Sequence, residues 1–393
     1  MTTAPFWSNA SLVSASEEPR GFQVSLEDMV SETGQLVDGD LSAYGAKGTP
    51  FEPGEILFGK LRPYLAKYWL ADRAGTASGD IHVYRPEDGT DPRYLKYVVG
   101  SRNFVRFAEA ASKGTKMPRA EWMSLREYPV VQFTRTTQQE IARYLDRETS
   151  EIDAVLARMD RLSKVLQARV GSVQTRAVFG LAAGQRHSAA DAHSPLSGIP
   201  EHWGRAKFGY DFTESTERVG DDPPGPLLSI SEHRGVELNT RTEGQLASLD
   251  VSKYRVVRPG QLAANMMWLN HGGLGVSSLT GYISPDYKAF WISDRFEPRY
   301  VHHLFRSSRY IDYFTAIATG VRPNAQRVTK TVLDATPVPL PPLDEQIRIA
   351  DELDEATARV EAMLAKVADL KSLLLERRAA LITDVVTGKK EVA

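Results

Sequence analysis

The sequence of 393 residues contains no cysteine. Disulfide bonds, thiol nucleophiles and cysteine-ligated zinc sites are therefore excluded, which is consistent with a reducing compartment. No stretch of 18 apolar residues occurs, and the N-terminal segment lacks the basic and apolar regions of a signal peptide, so we predict a cytoplasmic protein that does not span a membrane. An excess of charge of either sign is also lacking, because 48 Lys and Arg residues face 50 Asp and Glu residues. A nucleic-acid-binding surface would have to be a local patch.

Signatures of catalysis are scarce as well. Residues 45–49 (Gly-Ala-Lys-Gly-Thr) lack the Gly-Lys-Ser/Thr of a P-loop, and the His-Glu-x-x-His and Gly-x-Ser-x-Gly motifs do not occur. His302 and His303 are adjacent and would not share a helix face, so we interpret them as surface or DNA-facing histidines rather than a metal pair. We predict no catalytic residue, no metal site and no cofactor.

What the chain does contain is a repeat. Pro53-Gly54 recurs as Pro259-Gly260, and Pro92-Arg93-Tyr94 recurs as Pro298-Arg299-Tyr300, both at an offset of 206 residues. Further pairs follow at an offset of 208 residues: Pro129 and Pro337, Gln138 and Gln346, Leu145 and Leu353, and Gly180 and Gly388. Such a constant offset is difficult to obtain by chance, so we predict two copies of one unit of roughly 200 residues.

Each copy has two parts. The first is rich in Gly, Pro and aromatic residues, with short apolar runs typical of strands and with helical spacing at 94–109 and 300–317. The second is a proline-free stretch, 137–179 in the first copy and 344–387 in the second, with apolar heptad rows. A helix of that length, about 64 Å, needs an equally long partner, and its own duplicate is the simplest one.

The patterns together predict an α+β fold. Two mixed α/β domains are separated by two long antiparallel coiled-coil helices, and the whole has an internal pseudo-two-fold repeat. Each helix is expected to end at a glycine cap, Gly180 or Gly388.

Positive charge is concentrated at corresponding places in the two copies. Residues 92–135 hold nine Lys and Arg against three acids, and residues 298–332 hold six against one. Because a solvated face normally mixes both signs, this surplus favours contact with phosphates, although an ordinary surface helix remains the alternative.

Several segments are similar to those of one known family. They are residues 53–65 (PGEILFGKLRPYL), 112–119 (SKGTKMPR), 265–268 (NMMW), 199–203 (IPEHW), for which Pro5-Phe6-Trp7 is a degenerate counterpart in the first copy, and 339–346 (PLPPLDEQ) before a long helix. With these segments the chain resembles the specificity subunit of Type I restriction-modification systems over nearly its whole length.

The resemblance implies a domain order and a function. The order is target recognition domain 1 at 1–136, a first long helix at 137–180, a linker at 181–198, target recognition domain 2 at 199–342, and a second long helix at 343–393. The function implied is a non-catalytic subunit that reads a bipartite site in double-stranded DNA and docks two methyltransferase subunits and, in the full assembly, restriction subunits. Two alternatives stay open: a recognition subunit of another defence or modification complex built on the same domains, and an enzyme with a diverged site.

Candidate DNA-binding residues are basic or amide side chains on loops of the two domains. Arg can fork onto guanine, Asn onto adenine, and Lys more often meets phosphate. The predicted residues are Lys60, Arg62, Lys113, Lys116 and Arg119 in the first copy, and Asn265, Arg322, Asn324 and Arg327 in the second. Tyr64 and Trp268 could contact DNA or pack in the core. Because residues 60–63 and 266–269 differ in type, we expect the two domains to read different half-sites.

Overall fold

The computed structural model describes residues 2–19, 21–39, 41, 46–181, 194–232, 234–240, 250–320 and 327–392. The chain divides into two compact units, Met1–Arg161 with Val367–Ala393 and Leu162–Lys366. Most of the predicted linker, and the predicted site residues Arg322 and Asn324, lie outside the described residues. No helix among the described residues is long and apolar enough to cross a membrane.

The first unit is built mainly of short strands. They are β1 (Thr3–Pro5), β2 (Ala10–Leu12), β3 (Gln23–Val24), β4 (Met29–Val30), β5 (Gln35–Leu36), β6 (Thr49–Phe51), β7 (Ile56–Gly59), β8 (Tyr68–Leu70), β9 (Gly75–Ala77), β10 (Ile81–Pro86) and β11 (Pro129–Val131). A four-stranded antiparallel sheet has the order β2-β10-β7-β8, and smaller sheets pair β1 with β11, β4 with β5, and β3 and β6 with β9.

Helices cover the four-stranded sheet of the first unit. They are α1 (Pro92–Val99), α2 (Arg102–Ala110), α3 (Trp122–Leu125) and the first part of α4 (Arg135–Val178). Asp91 caps α1 by accepting bonds from the backbone N–H groups of Arg93 and Tyr94, and Pro92 occupies the first turn, where its missing N–H costs nothing. Phe6, Phe58 and Phe104 are fully buried between sheet and helices.

The second unit repeats this plan. Its elements are the last part of α4, β12 (Gly204–Lys207), α5 (Phe208–Asp211), β13 (Phe212–Glu214), β14 (Leu228–Ser231), β15 (Gly235–Leu238), β16 (Arg255–Val257), β17 (Leu262–Ala264), β18 (Leu274–Val276), β19 (Gly281–Ile283), β20 (Lys288–Ile292), α6 (Pro298–Phe305), α7 (Ser308–Ile317), α8 (Lys330–Asp334), β21 (Pro337–Leu340) and the first part of α9 (Leu343–Val386). The order β13-β20-β17-β18 mirrors that of the first sheet, and β12 pairs with β21 as β1 pairs with β11. Helix α6 begins 206 residues after α1, and α9 begins 208 residues after α4, as the sequence offsets predict.

Gln138 and Gln346, which are 208 residues apart, make the same contacts in the two units. Gln138 is buried, accepts the backbone N–H of Asp91 at 2.8 Å and donates to the carbonyl of Phe133 at 3.0 Å. Gln346 accepts the backbone N–H of Glu297 at 2.8 Å and donates to the carbonyl of Pro341 at 2.9 Å. In each unit this side chain ties the start of a long helix to the start of a domain helix.

Replacing Gln138 by alanine should therefore destabilise the first unit. The buried N–H of Asp91 and the partly buried carbonyl of Phe133 would lose their partner, which costs about 1–3 kcal/mol in the free energy of unfolding. The neighbouring change Gln139→Ala is the matched control and should cost less than about 0.5 kcal/mol. Urea unfolding of both variants measures the difference, and equal midpoints would contradict this role of Gln138.

The two long helices carry the predicted seam. Leu145, Ile152, Leu353 and Val367 of the heptad rows are buried, whereas Val173 is exposed. Within the first unit, Asp160 pairs with Lys371 and Asp153 pairs with Arg378, so the two helices run antiparallel there. Both end as predicted, because Gly180 and Gly388 have left-handed φ values of 59° and 69°. The predicted fold class is confirmed.

One sequence alignment needs correction. Pro5-Phe6-Trp7 is not the counterpart of the segment ending at Trp203. Phe6 follows β1 as Phe208 follows β12, and the ring of Phe6 meets Tyr84 edge to face at 5.1 Å, as Phe208 meets Phe290 at 5.1 Å. The aromatic residue at this corner is repeated because it fills the same gap between strand and helix.

Candidate nucleic-acid interface

A short basic loop of the first unit, residues 113–119, is held closed by its own backbone. Lys113 and Arg119 exchange two backbone hydrogen bonds of 3.0 Å, and Gly114 adopts the left-handed φ of 99° that this tight loop requires. The loop lies against the segment that follows β7, because the N–H of Arg62 donates to the carbonyl of Pro118 at 2.8 Å.

This arrangement brings the predicted residues of the first unit together. The five are Lys60, Arg62, Lys113, Lys116 and Arg119, and we call the loop and its supporting segment 60–62 the first platform. Four of the five side chains are exposed and Lys60 is half-buried. Lys113 and Lys116 form no ion pair with any described residue, so their charges face solvent. Tyr64, two residues after Arg62, is 46% exposed, which argues against core packing.

Asp80 organises the first platform, and sequence reasoning missed it. Its backbone carbonyl accepts the N–H of Lys60 at 2.9 Å, and its carboxylate accepts a hydrogen bond from the Arg119 guanidinium at 2.7 Å. No motif marks this aspartate in the sequence, because its partner is 39 residues away. The ion pair orients Arg119 while leaving about half of that side chain exposed.

A histidine beneath the first platform adds no charge to it. His82 is buried and its Nδ1 lies 3.1 Å from the Tyr84 hydroxyl. Burial, with some repulsion from Lys60, lowers the pKa of His82 to about 3. The positive charge of the platform therefore comes from its Lys and Arg side chains.

The second unit has an equivalent platform. Thr319 and Arg327 exchange two backbone bonds of 3.0 Å, and the N–H of Val328 donates to the carbonyl of Met266 at 3.1 Å, as the N–H of Ala120 donates to that of Lys60 at 2.9 Å. Arg327 thus occupies the place of Arg119. We call Thr319, Gly320 and Arg327 with the segment 265–268 the second platform, and of the predicted residues the structure places Asn265 and Arg327 there.

The side chains of the second platform differ from those of the first. Met267 and Trp268 are exposed where the first platform has Leu61 and Arg62. Asn265 is half-buried, and its Oδ1 accepts the backbone N–H of Met267 at 3.1 Å, which stabilises the turn. Because an amide oxygen can accept two hydrogen bonds, this bond leaves Asn265 able to contact adenine as well.

Much of the predicted positive surplus has internal partners. Arg93 and Lys96 both pair with Asp146 of α4, and Arg299 pairs with Asp351 and Asp354 of α9. These cations fasten each domain to a long helix. These three cations are therefore removed from the positive surplus that favoured phosphate contact in the sequence.

The adjacent histidines are structural, which corrects the sequence interpretation. The Nε2 of His303 lies 2.7 Å from the carboxylate of Asp354, and the Nδ1 of His302 accepts the N–H of Val276 at 3.2 Å. Burial, then repulsion from Arg306, lowers the pKa of His302 to about 3, so it is neutral at neutral pH. Among the described residues no group of three His, Cys, Asp or Glu side chains is placed to hold a metal ion.

Lys113 offers a direct test of phosphate contact. Lys113→Ala should weaken binding to all duplexes alike and make the dependence of log affinity on log salt shallower by about one. Lys389→Ala, an exposed lysine beyond α9, is the control and should change neither quantity. Titrations at several salt concentrations decide, and an unchanged slope for Lys113→Ala would remove this lysine from the interface.

Comparison with solved structures identifies chains of similar fold. A chain in a solved structure concerning complex assembly and conformational transition of the type I R-M system superposes with a TM-score of 0.63 at 17% identity, covering 98% of this chain and 97% of that one. The two chains therefore share a fold.

The curated relatives are specificity subunits. That of the Type I restriction enzyme EcoDI from Escherichia coli is 28% identical over 126 residues, which is 30% of this chain and 28% of that protein. That of StySPI from Salmonella potsdam is 29% identical over 91 residues, 23% of this chain and 19% of that protein. The matches thus span less than a third of these relatives. No family model matches. The predicted resemblance to Type I specificity subunits is confirmed.

Proposed function

We propose that this chain is the DNA sequence-specificity subunit of a Type I restriction-modification complex. Each unit reads one half of a bipartite site in double-stranded DNA. The observation that carries the proposal is the repetition of one backbone platform with different side chains: Lys60, Leu61 and Arg62 in the first unit, and Met266, Met267 and Trp268 in the second. Of these, Arg62, Met267 and Trp268 are exposed. A shared scaffold with exchanged side chains is what two readers of different sequences require.

The platforms are suited to duplex DNA for electrostatic reasons. In the first platform two lysines and Arg62 carry charge into solvent, and a fixed arginine stands beside them. Arginine held by a carboxylate keeps its fork in one orientation, which bidentate contact with guanine requires. In the second platform the exposed Trp268 and Met267 offer apolar surface to bases, and Arg327 supplies the cation.

The rest of the proposal follows the relatives. The chain is non-catalytic and cytoplasmic, and its recognition domains are residues 1–136 and 199–342. The long helices at 137–180 and 343–393 dock two methyltransferase subunits, and restriction subunits join the full assembly. Exposed apolar side chains on these helices, among them Leu162, Val165, Leu370 and Leu373, support a docking role.

Co-purification from the source cell tests the proposal. A tagged chain should retain methyltransferase subunits in a ratio of two to one, and DNA methylation should require both proteins. Methyl transfer by the chain alone would instead favour an enzyme with a diverged site. Capture of a different set of nucleic-acid enzymes would favour another defence or modification complex.

A further inference from the structure

Unfavourable backbone conformation is concentrated in one part of the first unit. Among the described residues other than glycine, three have a left-handed φ: Glu32 at 65°, Arg62 at 51° and Ala66 at 46°. Residues with a Cβ adopt this region at a cost, and they persist there only when surrounding contacts hold them.

The three residues form one connected path that ends at the first platform. Glu32 lies in the turn between β4 and β5, and its N–H donates to the carbonyl of Ala66 at 2.9 Å. Ala66 ends a single 3-10 turn, Pro63–Leu65, that begins at Arg62. The N–H of Arg62 in turn donates to Pro118 of the basic loop. The conformation of the β4–β5 turn is therefore transmitted to the platform.

A buried arginine of the long helix α9 fixes the start of this path. Arg378 is 4% exposed, and its guanidinium donates to the carbonyls of Glu32 at 2.6 Å and Thr33 at 2.9 Å. It also bonds the carboxylate of Asp153 on α4 at 3.0 Å. Burial of a charge is tolerated only with such partners, so the turn, α4 and α9 are held together by one side chain.

Joining the two long helices does not by itself require a side chain that reaches the β4–β5 turn, as Arg378 does. Lys371 and Asp160 occupy the same two heptad positions one heptad away, and they form an ion pair in which Asp160 is mostly exposed. Among the described residues Lys371 bonds to Asp160 and does not bond to the recognition domain. A heptad pair of this kind can therefore join the helices without reaching a domain.

The second unit holds the equivalent turn with an arginine of its own domain. Arg306, which follows α6, donates to the carbonyls of Ser231 and Glu232 in the β14–β15 turn at 3.3 and 2.5 Å and to that of Gly272 at 3.2 Å. Gly272 is the counterpart of Ala66. Burial lowers the pKa of Arg306 to about 10, so it stays charged at neutral pH. At the position that corresponds to Arg378, α4 has Val170, which forms no such clamp.

We propose that Arg378 is a positioning residue for base readout by the first unit. It holds the β4–β5 turn, and through Glu32 and Ala66 it sets the left-handed conformation of Arg62 and the seat of the basic loop. Readout of the first half-site thus depends on a residue of the long helix, whereas readout of the second depends on Arg306. The inference rests on the proposed function and adds a residue remote from DNA that determines specificity.

The test uses the complete complex with its methyltransferase subunits. Methylation rates are measured on the cognate duplex and on duplexes with one substituted base pair in either half-site, and the first half-site is the one whose readout changes in Arg119→Ala. Arg378→Met should reduce discrimination against mismatches in the first half-site by about tenfold, the scale of one base-pair mismatch. Discrimination in the second half-site should stay unchanged. Lys371→Met should change neither, and Arg306→Met should affect the second half-site alone.

Arg378→Lys guards against loss of folding in Arg378→Met, which thermal unfolding would reveal. Lysine keeps the charge next to Asp153 but lacks the planar fork that reaches two carbonyls, so the same selective loss is expected. Equal loss at both half-sites, or unchanged discrimination in a folded variant, would overturn the role of Arg378. Failure of the unmodified complex to methylate any bipartite site would instead overturn the proposed function.

Discussion

Replacing residues 200–336 with the corresponding domain of a related chain is expected to change one half of the methylated sequence and to leave the other half intact. The replaced segment contains the second platform, and the bonds that shape the first platform come from residues 60–120, Glu32 and Arg378, all of which lie outside that segment. The join at 336 precedes β21 and α9, and β21 pairs with β12 through backbone bonds that tolerate a change of sequence.

Sequencing of methylated DNA from cells that carry the exchanged chain measures the outcome. One new half-site joined to one old half-site is the expected pattern. A change in both halves would contradict independent readout by two platforms, and so would an unchanged sequence in a complex that still methylates.

Arg119→Ala is expected to weaken binding to the cognate duplex by roughly 1–3 kcal/mol, which is the contribution of a good bidentate contact with guanine. The loss should fall on the specific sequence much more than on unrelated duplexes. It should also relax selectivity at one base pair of one half-site. This pattern separates Arg119 from Lys113, whose removal affects all sequences alike.

Two further variants serve as controls for Arg119. Asp80→Asn keeps the shape of the side chain that Arg119 contacts and removes an ion pair that is partly exposed. It should therefore weaken binding to the cognate duplex by less than about 1 kcal/mol. Arg327→Ala should relax selectivity in the other half-site, because Arg327 holds the corresponding place. Competition titrations with duplexes that carry one substituted base pair measure the selectivity of all three variants. Uniform weakening by Arg119→Ala would assign it to phosphate rather than to a base.

The repeat allowed much of the fold to be predicted. Gln138 and Gln346 share an offset because each makes the same two backbone bonds, and Gly180 and Gly388 share it because each ends a helix in a left-handed conformation. Heptad spacing similarly predicted both long helices to within two residues of their observed ends. Features of this kind depend on residues that are close in the sequence, so they can be predicted without a structure.

The remaining features depend on partners far apart in the sequence. In the sequence Arg93 and Arg299 are candidates for phosphate contact, but in the structure carboxylates of α4 and α9 pair with them. No residue near Arg119 in the sequence indicates its bond to Asp80. Arg378 is separated from Glu32 by 346 residues. Its position in a heptad row indicates only a weak point in the seam. Which cation binds DNA and which holds the protein together is decided by folding.

Comparison of genome-wide DNA methylation in the source cell with and without this gene tests the central claim most directly. The account predicts that one bipartite motif, two specified halves separated by an unspecified spacer, is methylated in the parent and unmethylated at every occurrence after deletion, and that the gene restores it. Persistence of every methylated motif after deletion, with the methyltransferase genes intact and expressed, would contradict it.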